Sequence, residues 1–230
     1  MWHGGVTITR DADGALVLSG AVAEGEGCTA SGLNSHAEGC GTVASGQVSH
    51  AENGAFATGS SSHAEGCESI ASGINSHAQG SEADAYLYAQ HAQAGGKFVT
   101  GGDAQHSRIV IRNSITHDDT NWHSIGTQII IIPEDTLWTF DILLSGASVG
   151  LAKKFSYRIV GCISNDGGTA AVHASTTTTI YESDADFDAQ VVADDTYETL
   201  EVQVTDSTSG GDVVRWVADV RLCEVGFPAA

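Results

Sequence analysis

Two patterns of hydrophobic and polar positions divide the chain. From about residue 20 to residue 95, small apolar residues alternate with polar ones, and glycines reset the alternation every thirteen or fourteen residues. From Gln105 onward the alternation is carried by β-branched and aromatic residues in longer runs. A period of two marks strands, because successive side chains of a strand point to opposite faces. Both halves are therefore expected to be β.

The first half is a repeat. Ser-His-Ala recurs at Ser35, Ser49, Ser62 and Ser76, which places histidines at His36, His50, His63 and His77. His91 continues the column as Gln-His-Ala. A second marker runs in phase: Ala30-Ser31-Gly32, Ala44-Ser45-Gly46, Ala57-Thr58-Gly59 and Ala71-Ser72-Gly73. Helical repeats need about 30 residues or more. Two short strands and two glycine turns account for the length seen here. Stacked at about 4.8 Å, roughly six such coils form a parallel β-roll, or solenoid, some 25–30 Å long. The inward positions are mostly Ala and Ser, whose burial contributes little. An obligate oligomer is expected to make up the deficit.

In the second half the strand-like runs are Ser107–Thr116, Ser124–Ile132, Thr136–Leu144, Phe155–Ile163, Ala170–Tyr181, Leu200–Thr205 and Val213–Val225. Turn clusters such as Ser164-Asn165-Asp166-Gly167-Gly168 separate them. That spacing predicts an antiparallel β-sandwich, with Trp138, Phe140, Phe155, Tyr157 and Trp216 as its aromatic core. Gly95-Gly96 and Gly101-Gly102 flank the junction. The expected organisation is a β attachment segment over residues 1–20, the roll over 21–95 and the sandwich over 96–230.

Charge narrows the function. The formal net charge is -20, and no Lys or Arg occurs between Asp11 and Gly96, where ten carboxylates lie. Nucleic acid is not an expected partner, because phosphate binding requires cationic side chains. The five cysteines form no CxxC pair, so free thiols from a reducing compartment are expected. The opening MWHGGVTITRDADG does not read as a signal peptide, and no apolar run reaches membrane-helix length. Membrane insertion is not expected.

Two resemblances rest on these residues. The SHAEG…ASG repeat, at Ser35–Gly39 and Ala44–Gly46 and onward, resembles the head of YadA-type trimeric adhesins. That resemblance implies a left-handed, trimeric β-roll. His and Glu stand here where the adhesin motif carries Val and Ile, and no anchor barrel is read, so an autotransporter proper is not expected. In the second half, Gly102–Arg108, Leu137–Phe140 and Val214–Ala218 resemble a β-rich C-terminal domain common in tailed-phage virion proteins. That implies a virion component and brings no catalytic residues with it.

Candidate chemistry centres on the histidines. His36 and Glu38, His50 and Glu52, and His63 and Glu65 stand two apart and share a strand face, giving a His column beside a Glu column. Either these are satisfied polar pairs, or a three-fold axis gathers them into a trimer core that holds ions or senses pH. Carboxylates without nearby Lys or Arg are expected to favour protonated His, so the roll should loosen as those protons leave. No metal or cofactor is assigned. Cys40 and Cys67 share a column two coils apart, about 9–10 Å, too far for a disulfide. They read as small buried thiols. Asp184, Asp186 and Asp188 resemble the start of a calcium loop, but Ala189 and Asp195 stand where that loop needs Gly and Glu, and a solvated acidic loop is expected. Asp11, Asp13 and Gly14 read as a hairpin turn. The H-x-E pairs lack the P-C-x-x-C of zinc deaminases, and no G-x-S-x-G elbow is present. Trp122 and His123, in a polar stretch, and Tyr86 and Tyr88, near the junction, are the binding candidates, since such aromatics stack on sugars or pack at interfaces.

The reading is an all-β, homotrimeric phage tail fibre or appendage, made in the host cytoplasm and carried on the virion. Its expected partners are itself, other tail or baseplate proteins, and a host surface glycan. An enzyme is not expected. The alternatives are a glycan-degrading or self-cleaving appendage, or a bacterial trimeric adhesin.

Overall fold

The computed structural model describes residues 7–10, 16–126, 128–206 and 210–227. Among these the protein is all-β, with a single 3-10 turn at Val149–Leu151 as its only helical element. No helix among them is long and apolar enough to cross a membrane. The chain divides into two compact units, Met1–Ser107 and Arg108–Ala230.

The first unit opens with an antiparallel pair, Thr7–Arg10 against Leu16–Ser19. The turn read at Asp11, Asp13 and Gly14 lies outside the described residues. A parallel β-solenoid of about five turns follows. One of its sheets stacks Val22–Glu24, His36–Glu38, His50–Glu52, His63–Glu65, His77–Ser81 and His91–Gly95. The other stacks Thr29–Ala30, Val43–Ala44, Phe56–Ala57, Ile70–Ala71 and Asp84–Ala85. Register is in phase: over the coils from His36 to Glu65, His lies on His, Ala on Ala, and Glu on Glu.

The repeat letters follow from this geometry. The alanine of each SHA, from Ala37 to Ala92, points inward and is fully buried. The serine before each His is buried too, and its hydroxyl donates to the carbonyl of the ASG glycine three residues back: Ser35 to Gly32, Ser49 to Gly46, Ser62 to Gly59 and Ser76 to Gly73, at 2.7–2.8 Å. That hydrogen bond closes the turn and satisfies a buried polar group at once. The residue before each serine is left-handed. Asn34 and Asn75 suit that conformation, but Val48, at φ 56°, does not. A β-branched side chain there costs about 1–2 kcal/mol.

The last coil has its own closure. At Asp84 the Gln105 side chain acts as a substitute strand: its Oε1 accepts the Asp84 N–H at 2.9 Å and its Nε2 donates to the Asp84 carbonyl at 3.0 Å. Burial under this cap pushes the Asp84 carboxyl up to about 6. The unfolded chain releases that proton near the ordinary carboxylate value, while the folded chain keeps it until about pH 6, so stability falls as pH rises through that window. Asp84→Asn is therefore expected to be more stable than the wild type above pH ~6, by up to roughly 3 kcal/mol at about 1.4 kcal/mol per unit. The gain should disappear below pH ~4. Urea unfolding of both proteins at the two pH values is the check, and an unchanged difference would refute it.

One expectation for this unit needs correction. Cys40 and Cys67 are exposed rather than buried, because they fall in the turns after the HAE strands, where side chains leave the roll. All five cysteines are free thiols.

The second unit contains two antiparallel sheets. The larger orders Ala170–Glu182, Lys154–Asn165, Thr136–Ser148, Asp212–Gly226 and Ala104–His117. In the smaller, Thr199–Asp206 pairs with Phe187–Asp194 and with the short segments His123–Ser124 and Ile130–Ile131. Trp138, Tyr157, Trp216, Phe140, Ile142 and Leu144 are almost fully buried, and Phe155 stacks on Phe187 at 4.3 Å. The single run expected over Ser124–Ile132 is broken, with the Gly126 N–H turned onto the Ser124 hydroxyl. Phe187–Asp194 was read as part of an acidic loop and is a strand: its carboxylates lie on one side while Phe187, Ala189 and Val191 are buried on the other.

Candidate functional site

The solenoid strands hold the His and Glu side chains on the outer face, since the alanine between them points inward. Five imidazoles, from His36 to His91, stack in one column with ring centroids 4.6–4.9 Å apart and planes within 15° of parallel. That distance is the strand spacing itself. The glutamates run beside them. Glu52 Oε1 lies 3.4 Å from His50 Nε2 and 3.5 Å from His63 Nε2, so it sits between two coils. His36 Nε2 lies 3.5 Å from Glu24 and 3.9 Å from Glu38, and His77 lies 3.6 Å from Glu65. The Nε2 atoms of His50, His63 and His77 are shut off from solvent and have no hydrogen-bond partner. Their glutamate contacts are ion-pair distances without hydrogen-bond geometry. The expected picture of satisfied pairs therefore does not hold for these three nitrogens.

At His50 and His77 the expected protonation also reverses. Burial, followed by the charge of His63, holds His50 and His77 below the ordinary imidazole range, and their glutamates do not offset it. A depressed imidazole stabilises the fold above its ordinary value and loses that contribution as pH falls. These two imidazoles thus contribute less to stability in acid, the opposite of the loosening expected on loss of their protons.

The other candidates lie on other elements. Trp122 is 39% exposed, in a loop held by Asp119, which accepts from Asn121 and contacts His123 Nε2 at 2.9 Å. Tyr88 is exposed and Tyr86 half-buried. Asp184 is held by Lys153 at 2.6 Å, and that ammonium also binds Asp212 at 2.6 Å. The first carboxylate of the calcium reading is thus paired with a lysine.

Two features carried no local signal in the sequence. His117 is buried in the second unit, where its Nε2 accepts from Trp216 Nε1 at 3.2 Å and Phe187 packs edge-on. Burial, then the charge of His123, holds it below the usual imidazole range. Arg112, Asn113, Ser114 and Arg215 line an open cavity of about 500 Å³ with Trp216 and Val217. Strands a hundred residues apart bring these groups together.

No family model matches this chain, and no curated protein matches it. Solved structures do. A tailspike protein of Acinetobacter baumannii bacteriophage Fri1, a capsular polysaccharide depolymerase, is similar over 84% of this chain and 40% of its own, at 10% identity and TM-score 0.32. The tailspike protein of Acinetobacter baumannii phage AM24 is similar over 92% of this chain and 50% of its own, at 7% identity and TM-score 0.33. The chain thus spans half or less of the length of these proteins, and similarity at this level assigns no activity to it. One expectation is withdrawn. The chain was expected not to be an enzyme, yet one of these similar proteins is a depolymerase. The physical reason is that glycoside hydrolysis needs two carboxyl groups about 5–10 Å apart in space. No motif spacing records that separation, so missing motifs do not exclude it.

Proposed function

We propose that this chain is a segment of a homotrimeric phage tail fibre or appendage that contacts the host surface. In this reading the solenoid is a left-handed roll, the second unit is an antiparallel sandwich, and the partners are tail proteins and a host surface glycan. One observation carries it: every residue of the buried hydrophobic cluster in the solenoid is alanine. Each buried methyl contributes only about 1 kcal/mol, too little to hold an isolated roll against the entropy of ordering it. Copies packed side by side supply the missing burial. The second unit supports the same reading, because Leu143, Val160, Val213 and Val217 remain exposed on the outer side of its larger sheet. Glycan contact is proposed for Trp122 and Tyr88, which present aromatic surface to solvent.

Light scattering at neutral pH should give the mass of three chains, and a monomer would overturn the architecture. Immobilised host capsular polysaccharide should retain the protein, and release of oligosaccharide in the same assay would identify a depolymerase. A trimer that ignores host polysaccharide would refute the surface-contact role.

A further inference from the structure

We propose that the outer face of the solenoid binds a borderline divalent cation of the zinc type between coils, with His50, Glu52 and His63 as its ligands. His50 Nε2, Glu52 Oε1 and His63 Nε2 lie within 4.8 Å of one another. Zinc held at about 2.0–2.2 Å by nitrogen and oxygen places its tetrahedral ligands about 3.3–3.5 Å apart. Two edges of the triangle already meet that, at 3.4 and 3.5 Å. The third closes when the two imidazoles, each a little over one-third exposed, tilt toward one another.

A second, independent observation points to a ligand. The Nε2 atoms of both histidines are cut off from water and make no hydrogen bond, although an unpartnered buried nitrogen is costly. A cation beside Glu52 would give both lone pairs a partner. It would also answer a charge imbalance, because the stretch from Asp11 to Gly96 holds ten carboxylates and no Lys or Arg. Lys97, the first cation after that stretch, is taken by Glu82 at 2.8 Å and Glu68 at 3.7 Å.

The ligands come from two coils, so the ion would act as a staple along the roll. Glu24, His36 and Glu38 form a second such group one coil earlier. The imidazole nitrogens favour zinc, copper or nickel over calcium or magnesium. At the other end, Gln93 replaces the carboxylate beside His91, which leaves that position without an anionic ligand.

The test uses the full chain, expressed without an oligohistidine tag and stripped with chelator. Zinc is titrated calorimetrically, and retained metal is counted after gel filtration. The stripped protein should take up zinc, melt at a higher temperature when loaded, and ignore calcium. Glu52→Gln should weaken zinc binding by at least about tenfold, the lower range for losing even an outer-shell partner. His91→Gln, in the same column, should not. Circular dichroism establishes that each variant is folded, and if Glu52→Gln is not, His63→Gln is read in its place. A folded wild type that retains no zinc would overturn the proposal. So would a folded ligand variant that binds as the wild type does.

Discussion

Substituting Gly46 by alanine is expected to prevent the solenoid from closing. A Cβ built on Gly46 would overlap the carbonyl oxygen of Gly59 on the next coil and press on the Thr58 carbonyl at 3.0 Å. The same clash recurs between Gly32 and Gly46, and between Gly59 and Gly73. Overpacking a core costs about 1–3 kcal/mol when side chains can shift. Here the obstacle is backbone, held at strand spacing by the Ser45 N–H and Gly46 N–H bonds to the Ala57 carbonyl. The cost should reach at least about 3 kcal/mol, the range of the severe single mutations. Gly95→Ala is the control, since nothing lies within 4 Å of a Cβ there. Thermal melting and limited proteolysis compare the two. A Gly46→Ala protein as stable as Gly95→Ala would mean the coils are not in van der Waals contact along this line.

The second large effect is expected at Trp216 in the other unit. Its indole is fully buried, stacks on Phe155 at 5.4 Å and donates to His117 Nε2. Trp216→Ala removes that volume and leaves the buried imidazole with one partner fewer, on top of an Nδ1 that already lacks one. A loss of about 3–5 kcal/mol is expected. Trp216→Phe keeps the stacking and forfeits the hydrogen bond, for about 1–2 kcal/mol. Denaturant unfolding followed by near-ultraviolet circular dichroism separates the two losses. Equal losses from both variants would show that the hydrogen bond, not the packing, carries the contribution.

The strands of this protein were legible because each repeat letter meets a local demand. Glycine stands where the next coil's carbonyl leaves no room, serine where a turn carbonyl needs a donor, and alanine where the roll is narrow. These are nearest-coil constraints, so periodicity alone reports them. The same holds for Trp138, Tyr157 and Trp216, whose alternation marks a buried face. Local reading failed where a pattern had two meanings. FDAQVVAD has the acids of a loop and the alternation of a strand, and only its pairing with Thr199–Asp206 decides between them. Cys40 and Cys67 looked like core thiols, but one position past a glycine turn sends them to the surface.

The sequence by itself determined the all-β class, the period of the repeat, the alanine interior and the existence of a His column beside a Glu column, because each depends on residues within one coil of each other. Only the tertiary structure decided that the column faces outward and that Glu52 sits between two coils. It alone showed that three imidazole nitrogens are buried without hydrogen-bond partners and that Lys153 pairs with Asp184. Those facts depend on side-chain directions and on distances between segments far apart in the chain, which no periodicity encodes.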